Sequence, residues 1–223
     1  IVQCLEDYDI PLHLSHTIVK IHGHDRVTGV TVAKVDERMQ PIPGTEFDIE
    51  CDTVLLSVGL IPENELSRGL NLAMHPLTSG PIVDQRRQTS VPGIFAAGNV
   101  VHVHDLVDFV SEEAEIAGKF AALTAQGKTE EELKLVSVVT GDGIRTCVPQ
   151  QLSLPKEGEA ARLFMRVACP ERKVKLEVRS GETLIMSKML PVAKPSEMIS
   201  LDLSAEKTKL INGTLTVALN REA

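Results

Sequence analysis

The sequence predicts an α/β region followed by a small antiparallel all-β domain. Three observations carry that prediction. The stretch Thr89 to Val100, TSVPGIFAAGNV, contains an apolar run too short for a helix. That run ends in Gly98-Asn99 a few residues before a helical pattern begins. Short strand-like runs separated by Gly and Pro precede it. Beyond residue 133 the chain changes to period-two alternation with no helical period.

Charge follows the same division. Residues 135–223 carry 13 Lys and Arg against 10 Asp and Glu, whereas the other 134 residues carry 10 against 21. All seven histidines lie in the acidic part. A boundary is therefore expected between 127 and 135, giving regions 1–132 and 133–223. The acidic region has one Tyr and no Trp, so it offers neither the basic stripe nor the stacking aromatics of a nucleic-acid binder. No apolar run approaches the roughly 20 residues of a membrane-spanning helix. No basic, signal-like leader opens the chain, which starts without Met. The four cysteines are scattered without a C-x-x-C pair, so reduced and mostly buried thiols in a cytoplasmic protein are expected.

Taken in order, residues 1–10 read as the end of a helix. His13 to Ile21, Val27 to Val35 and Thr45 to Glu50 read as a meander of three strands, with a turn at Gly23-His24-Asp25. Val54 to Val58 is a continuous apolar run with one Ser, closed by Gly59 and Pro62, and suits a strand buried on both faces. Ile82-Val83-Asp84 and Ile94 to Ala97 read as two further short strands. Residues 100–108 form an irregular connection to a helix over 109–126, ended by Gly127-Lys128. Its Ala114, Ala117, Gly118, Ala121 and Ala122 form a small-residue face that permits close packing on a sheet. In the tail, 163–167, 174–179, 183–189, 198–203 and 215–219 alternate, with a tight turn at Ser180-Gly181, so a sandwich or barrel is expected. Gly141-Asp142-Gly143 reads as a hairpin turn, since it lacks the strand-to-helix context of a phosphate loop.

A strand ending in small residues before a helix is a usual seat for a phosphate or polyol, and Gly98 lets a ligand approach the backbone. Thr89, Gly93, Ile94, Phe95, Ala96 and Gly98 fit the pattern T-x-x-x-G-[IV]-[FY]-A-x-G-D. That pattern resembles the second flavin-binding motif of the two-dinucleotide-binding-domain flavoproteins, the pyridine nucleotide–disulfide oxidoreductase superfamily. Asn99 stands where the family usually has Asp. Asp52, Val54, Gly59 and Pro62 resemble the segment that closes the NAD(P)H domain of these proteins. Ile82-Val83-Asp84 resembles the strand before the second flavin motif. Ala114 to Ala122 resembles the A-x-x-x-G-x-x-A-A helix behind the flavin.

The resemblance implies a partial Rossmann-like FAD/NAD(P)-binding region, with FAD as cofactor and NAD(P)H as co-substrate. It implies hydride transfer from nicotinamide to flavin in the complete protein. It implies flavin contacts at Gly98 and Asn99, and at the helix start near Val110, Ser111 and Glu112, where free backbone N–H groups would face the ring. The sequence has no G-x-G-x-x-G, and the resemblance places both such loops before Ile1. The chain is therefore expected to be a C-terminal fragment, inactive alone and a weak FAD binder, whose first partner is the N-terminal FAD/NAD(P)H-binding portion. A homodimer or an electron-acceptor protein is a possible further partner through the β tail. The alternative is a non-catalytic assembly or docking subunit.

Other features read plainly. Arg86-Arg87 is expected to be a solvated pair, His22 and His24 to flank a solvated turn, and His102 and His104 to be loop residues without a metal.

Overall fold

The structure is a computed structural model that describes residues 2–129 and 133–221. Contacts divide the chain into two compact units, one ending at Gly59 and the other beginning at Leu60. The composition change near residue 133 thus lies inside the second unit, and residues 130–132 beside it are outside the described residues.

The first unit opens with α1 (Val2–Asp7) and continues as the expected meander: β1 (His16–His22), β2 (Gly29–Lys34) and β3 (Phe47–Ile49). Both pairings are antiparallel, and β2 lies in the middle. Being central, β2 carries most of the unit's buried side chains, Val30, Val32 and Ala33, and Val35 just beyond it is buried as well. His22 is tied to Thr31, its Nε2 being 2.7 Å from Oγ1, while His24 is exposed as expected.

Val54 to Val58 forms no strand, a correction to the sequence reading. Leu55 and Val58 are 90% and 86% exposed. An apolar run of this kind becomes a strand only by hydrogen bonding to neighbours, and no described strand lies against it.

In the second unit, α2 (Glu65–Gly69) leads into two segments expected as strands. Ile82-Val83-Asp84 is irregular rather than a strand. Asp84 Oδ1 accepts the backbone N–H groups of Arg86 and Gln88, both at 2.9 Å, and pulls the chain into a tight turn. Ile94 to Ala97 likewise forms no regular strand. It folds back on 87–89 through a single bridge, Gln88 to Phe95, with Thr89 N–H donating to Ile94 O and Ala96 N–H to Arg87 O. One bridge closes a loop but does not make a ladder. Gly98–Val100 is a 3₁₀ turn, and α3 (Val107–Ala125) follows. Gly127 ends it at φ 65°, as expected. The small-residue face of α3 is largely bare: Ala114, Gly118 and Ala122 are exposed, and nothing lies within 4 Å of a Cβ built on Gly118.

The tail is a two-sheet sandwich. β4 (Lys134–Thr140), β5 (Ile144–Val148), β6 (Gln151–Leu154), β7 (Ala161–Val167), β8 (Glu171–Ser180), β9 (Thr183–Ala193), β10 (Ile199–Leu203) and β11 (Leu215–Asn220) build it, with α4 (Ala205–Lys209) before the last strand. One sheet runs β10-β7-β5 and the other β6-β4-β11-β8-β9. All pairings are antiparallel except β11 with β4. Leu152, Leu163, Met165, Leu176, Val178, Leu215 and Val217 meet in one core between the sheets. The Gly141–Gly143 turn is not a hairpin, because β4 and β5 belong to different sheets and the turn carries the chain across the sandwich edge. Ser180-Gly181 does make the expected β8–β9 hairpin.

Candidate functional site

The site forms where the chain leaves Ala97. Gly98 has φ 72°, a backbone state that a side chain strains, and a Cβ there would come within 2.9 Å of Val110. Its carbonyl accepts the N–H groups of Val101 and His102, which tightens the turn. Its own N–H donates to Glu113 Oε2 at 2.8 Å. Asn99 is exposed on the turn, and its Oδ1 accepts the backbone N–H of His104 at 3.1 Å. Of the acceptor and donor that an Asn offers, the acceptor is thus occupied within the chain, and the Nδ2 amide remains to present outward.

Glu113 is the hub beneath the turn. Its side chain is fully buried, as is that of Arg87, and Arg87 Nη2 lies 3.1 Å from Glu113 Oε1. His102 Nε2 lies 3.1 Å from the same oxygen, so its N–H is assigned as donor to the carboxylate. His104 Nε2 is 3.1 Å from Oε2 but off the angle of a hydrogen bond, and this contact is electrostatic. Burial alone would raise the Glu113 carboxyl. The contacts from His102 and His104 and the Arg87 charge outweigh burial and hold it well below the usual carboxylate range. Burial lowers His102 despite its bond to Glu113, which keeps its ring neutral. Burial also pushes the nearby Cys147 thiol up to about 12, against the Arg87 charge. Cys147 is the one fully buried cysteine. Cys4 and Cys169 are exposed and Cys51 is intermediate, so the expectation of mostly buried thiols is corrected, while all four are free.

The sandwich supplies the floor of this cluster. On β7, Leu163 and Met165 point into the core, and Phe164 between them points the other way by the period-two rule. Its ring packs edge-on against His104 at 5.2 Å, against Phe109 at 5.4 Å, and 5.9 Å from the Arg87 guanidinium. Polar ties fix the loop above. Gln85 donates to Ser153 O and accepts from Ser153 N–H, Gln150 accepts from Val83 N–H, and Arg166 holds Val103 O and Asp105.

Each residue expected at the site has a place. Gly98 and Asn99 form the turn. Val110 packs under Gly98, Ser111 is exposed, and Glu112 pairs with Arg162. The helix begins at Val107, two residues before the expected start. Its free N–H groups therefore fall on Val107 to Phe109, and those of Val110 to Glu112 lie inside the helical ladder. Arg86 and Arg87 are not solvated, because Arg86 pairs with Glu159 at 2.7 Å and Arg87 with Glu113. Their partners lie 73 and 26 residues along the chain, so no local pattern revealed them. Glu113, the centre of the cluster, carried no sequence signal either: it is one of three glutamates in four residues.

His102, His104 and Glu113 place ligand atoms within 4.8 Å of one another, a spacing a metal could bridge. The Arg87 guanidinium already neutralises that carboxylate, and a dication would enter against it. The two histidines thus sit around a buried Arg87–Glu113 ion pair.

These elements define a glycine turn seated between a folded-back extended segment and a helix, with the backbone anchored from below. The family model for pyridine nucleotide-disulphide oxidoreductases matches residues 1–121, more than half of the 223. The chain belongs to that family. It is 30% identical over 118 residues to hydrogen cyanide synthase subunit HcnB of Pseudomonas aeruginosa, covering 52% of this chain and 24% of that protein. It is 31% identical over 102 residues to an NADH oxidase of Streptococcus pneumoniae, covering 45% and 19%. An NADH oxidase of Methanocaldococcus jannaschii is 29% identical over 126 residues, covering 56% and 24%. Among solved structures, T. acidophilum thioredoxin reductase aligns over 56% of this chain and 39% of its own, at 27% identity and a TM-score of 0.45. The chain thus spans about a quarter or less of the length of these curated relatives. Among the described residues, no helix is long and apolar enough to cross a membrane.

Proposed function

We propose that this chain is the C-terminal part of an FAD-dependent, NAD(P)H-linked oxidoreductase, and that its Gly98–Asn99 turn meets the ribityl region of the flavin. The observation that carries this reading is the anchored turn itself. Gly98 sits at positive φ with its N–H fixed on Glu113, and Asn99 presents a free amide. An outward Nδ2 donor suits an acceptor oxygen such as a ribityl hydroxyl or a phosphate. When bound, FAD supplies hydride acceptance from nicotinamide and onward electron transfer. The chain's own residues position: Glu113 and Arg87 hold the turn, and α3 presents Val107 to Phe109 at its N-terminal, partly positive end. Val110, Ser111 and Glu112 follow one turn later: Val110 acts through Gly98, on which it packs, Glu112 is held by Arg162, and Ser111 keeps an exposed hydroxyl for the ring edge.

The exposed run at Leu55, Leu56 and Val58 and the bare Ala114-Gly118-Ala122 stripe support a longer protein in which other segments cover both. In that protein residues 1–132 end the nucleotide-binding region, in line with a family match that stops at 121, and 133–223 form an appended β domain. Family membership favours this reading over a non-catalytic assembly subunit. Titrating FAD against the 223-residue chain while following flavin fluorescence tests it. Weak binding and no NAD(P)H oxidation are expected, together with an in-frame G-x-G-x-x-G upstream of Ile1 in the coding sequence. A stoichiometric yellow complex, or a start codon at the position of Ile1, overturns it.

A further inference from the structure

A cavity of about 330 Å³ opens on the second unit beside β5 and β7. It is built from residues 60–195 and does not depend on the flavin reading. Arg145, Thr146, Ser79 and Arg166 are among its lining residues. Strand β5 carries a bulge: Ile144 pairs with Val167 and Thr146 pairs with Arg166, so two steps on β5 match one on β7. The extra residue is Arg145. A bulge breaks the alternation of a strand and re-aims its side chains. Here it turns both Arg145 and Thr146 into the cavity, although neighbours on a regular strand face opposite ways.

Three groups in that lining are unused. Arg145 has no hydrogen bond or ion pair among the described residues, and the same holds for the hydroxyls of Thr146 and Ser79. Ser79 lines the cavity at φ 58°, a strained state for a residue with a side chain, of the kind that collects at ligand sites. Arg166 also lines the wall, but its charge is met by Asp105 at 2.5 Å. No carboxylate lines the cavity among the described residues, so one positive charge is uncompensated. The lining also includes exposed apolar side chains, Leu60, Ile61 and Leu77. A recess of this size, with apolar lining residues and a few convergent polar groups, is the usual form of a small-molecule site.

We propose that this cavity binds a small organic oxyanion, a carboxylate or a phosphate monoester. The charged end is held by Arg145 with the Ser79 and Thr146 hydroxyls, and the apolar body covers Leu60, Ile61 and Leu77. A guanidinium takes either oxyanion through paired N–H donors. His102 also lines the cavity, so the occupant sits one side chain from Glu113 and the Gly98 turn.

Isothermal titration calorimetry of the full chain tests the proposal, with inorganic phosphate and with butyrate as separate probes and chloride holding ionic strength constant. Saturable one-to-one binding of at least one probe is expected. R145Q should weaken it about tenfold or more, as loss of a charged hydrogen-bond partner does. R145K should weaken it less, and R172Q, a surface arginine on β8, should leave it unchanged. Arg145 is exposed, so R145Q should keep the melting temperature; S79A gives a second variant that removes a ligand group without touching charge. Phosphate binding alone assigns a phosphate ester, butyrate binding alone a carboxylate. No saturable binding of either probe, or equal binding by wild type and R145Q, overturns the proposal.

Discussion

Glu113 and Arg87 show how one buried pair can govern a turn 15 residues away. Their charges are fully removed from water, which is tolerable only because each has the other. E113Q keeps the side-chain shape but leaves the Arg87 guanidinium buried without a counter-charge. It should cost about 3–5 kcal/mol, read as a lower urea midpoint at unchanged slope. A loss below about 1 kcal/mol would show that water reaches the pair. The same cluster sets a pH dependence. His102 ordinarily titrates near 6.5 and is lowered in the fold, so the unfolded chain binds more protons as pH falls below that value. Its contribution to stability is present above about 6.5 and is lost on acidification towards the folded value. Glu113 is lowered from an ordinary 4.5, so its contribution is present above that value and is lost further down as the folded carboxyl protonates. Stability should therefore fall in two stages on acidification. H102Q should flatten the upper stage down to the part that buried His75 contributes, and should also shift the lower one, because His102 helps hold the Glu113 carboxyl low; an identical profile for the two proteins would count against His102.

At the scale of elements, the site is a turn clamped between a helix and a strand. α3 brings Glu113 under Gly98 and Val110 against it, while β7 turns Phe164 outward to support His104 and Phe109. G98A tests the clamp. The left-handed backbone costs a side chain about 1–2 kcal/mol, and Val110 has to move as well. Loss of stability is expected, with the largest amide shifts in a two-dimensional NMR spectrum at 97–104 and 110–113. Shifts confined to residue 98 and its sequence neighbours would show that the turn is not clamped. The bulge at Arg145 is the other element-scale device, since one inserted residue aims two consecutive side chains into one recess.

At the scale of the molecule, stability is uneven. The sandwich has one continuous core, whereas residues 53–61 hold apolar side chains in solvent with no regular hydrogen-bonded partner among the described residues. Hydrogen exchange should follow that contrast. Amides of 53–61 should exchange within seconds, and those in the β8 and β11 ladders only through the largest opening events. Protection of 53–61 comparable to the sandwich would mean that a further contact covers this run. The sandwich itself is joined to the loop of 82–105 by Gln85, Gln150, Phe164 and Arg166, which groups residues 60–129 with the β domain in one compact unit.

Some of this was legible in the sequence for definite physical reasons. The meander, the helix with its Gly127 stop and the alternating strands of the tail are encoded locally, by period and turn residues. The Gly98 turn was legible because a left-handed backbone without room for a Cβ leaves glycine as the fitting residue. The expected strands at 54–58, 82–84 and 94–97 were not realised, because a strand is a relation between two segments and composition describes only one of them. The solvated Arg86-Arg87 pair failed for the same reason: a charge is buried or wet according to a partner that sequence spacing does not show. The sequence alone thus determined where the chain turns and which stretches are apolar. Only the tertiary structure decided that Glu113, Arg87, His102 and Phe164 meet beneath Gly98, because that meeting depends on long-range packing between helix, loop and sandwich.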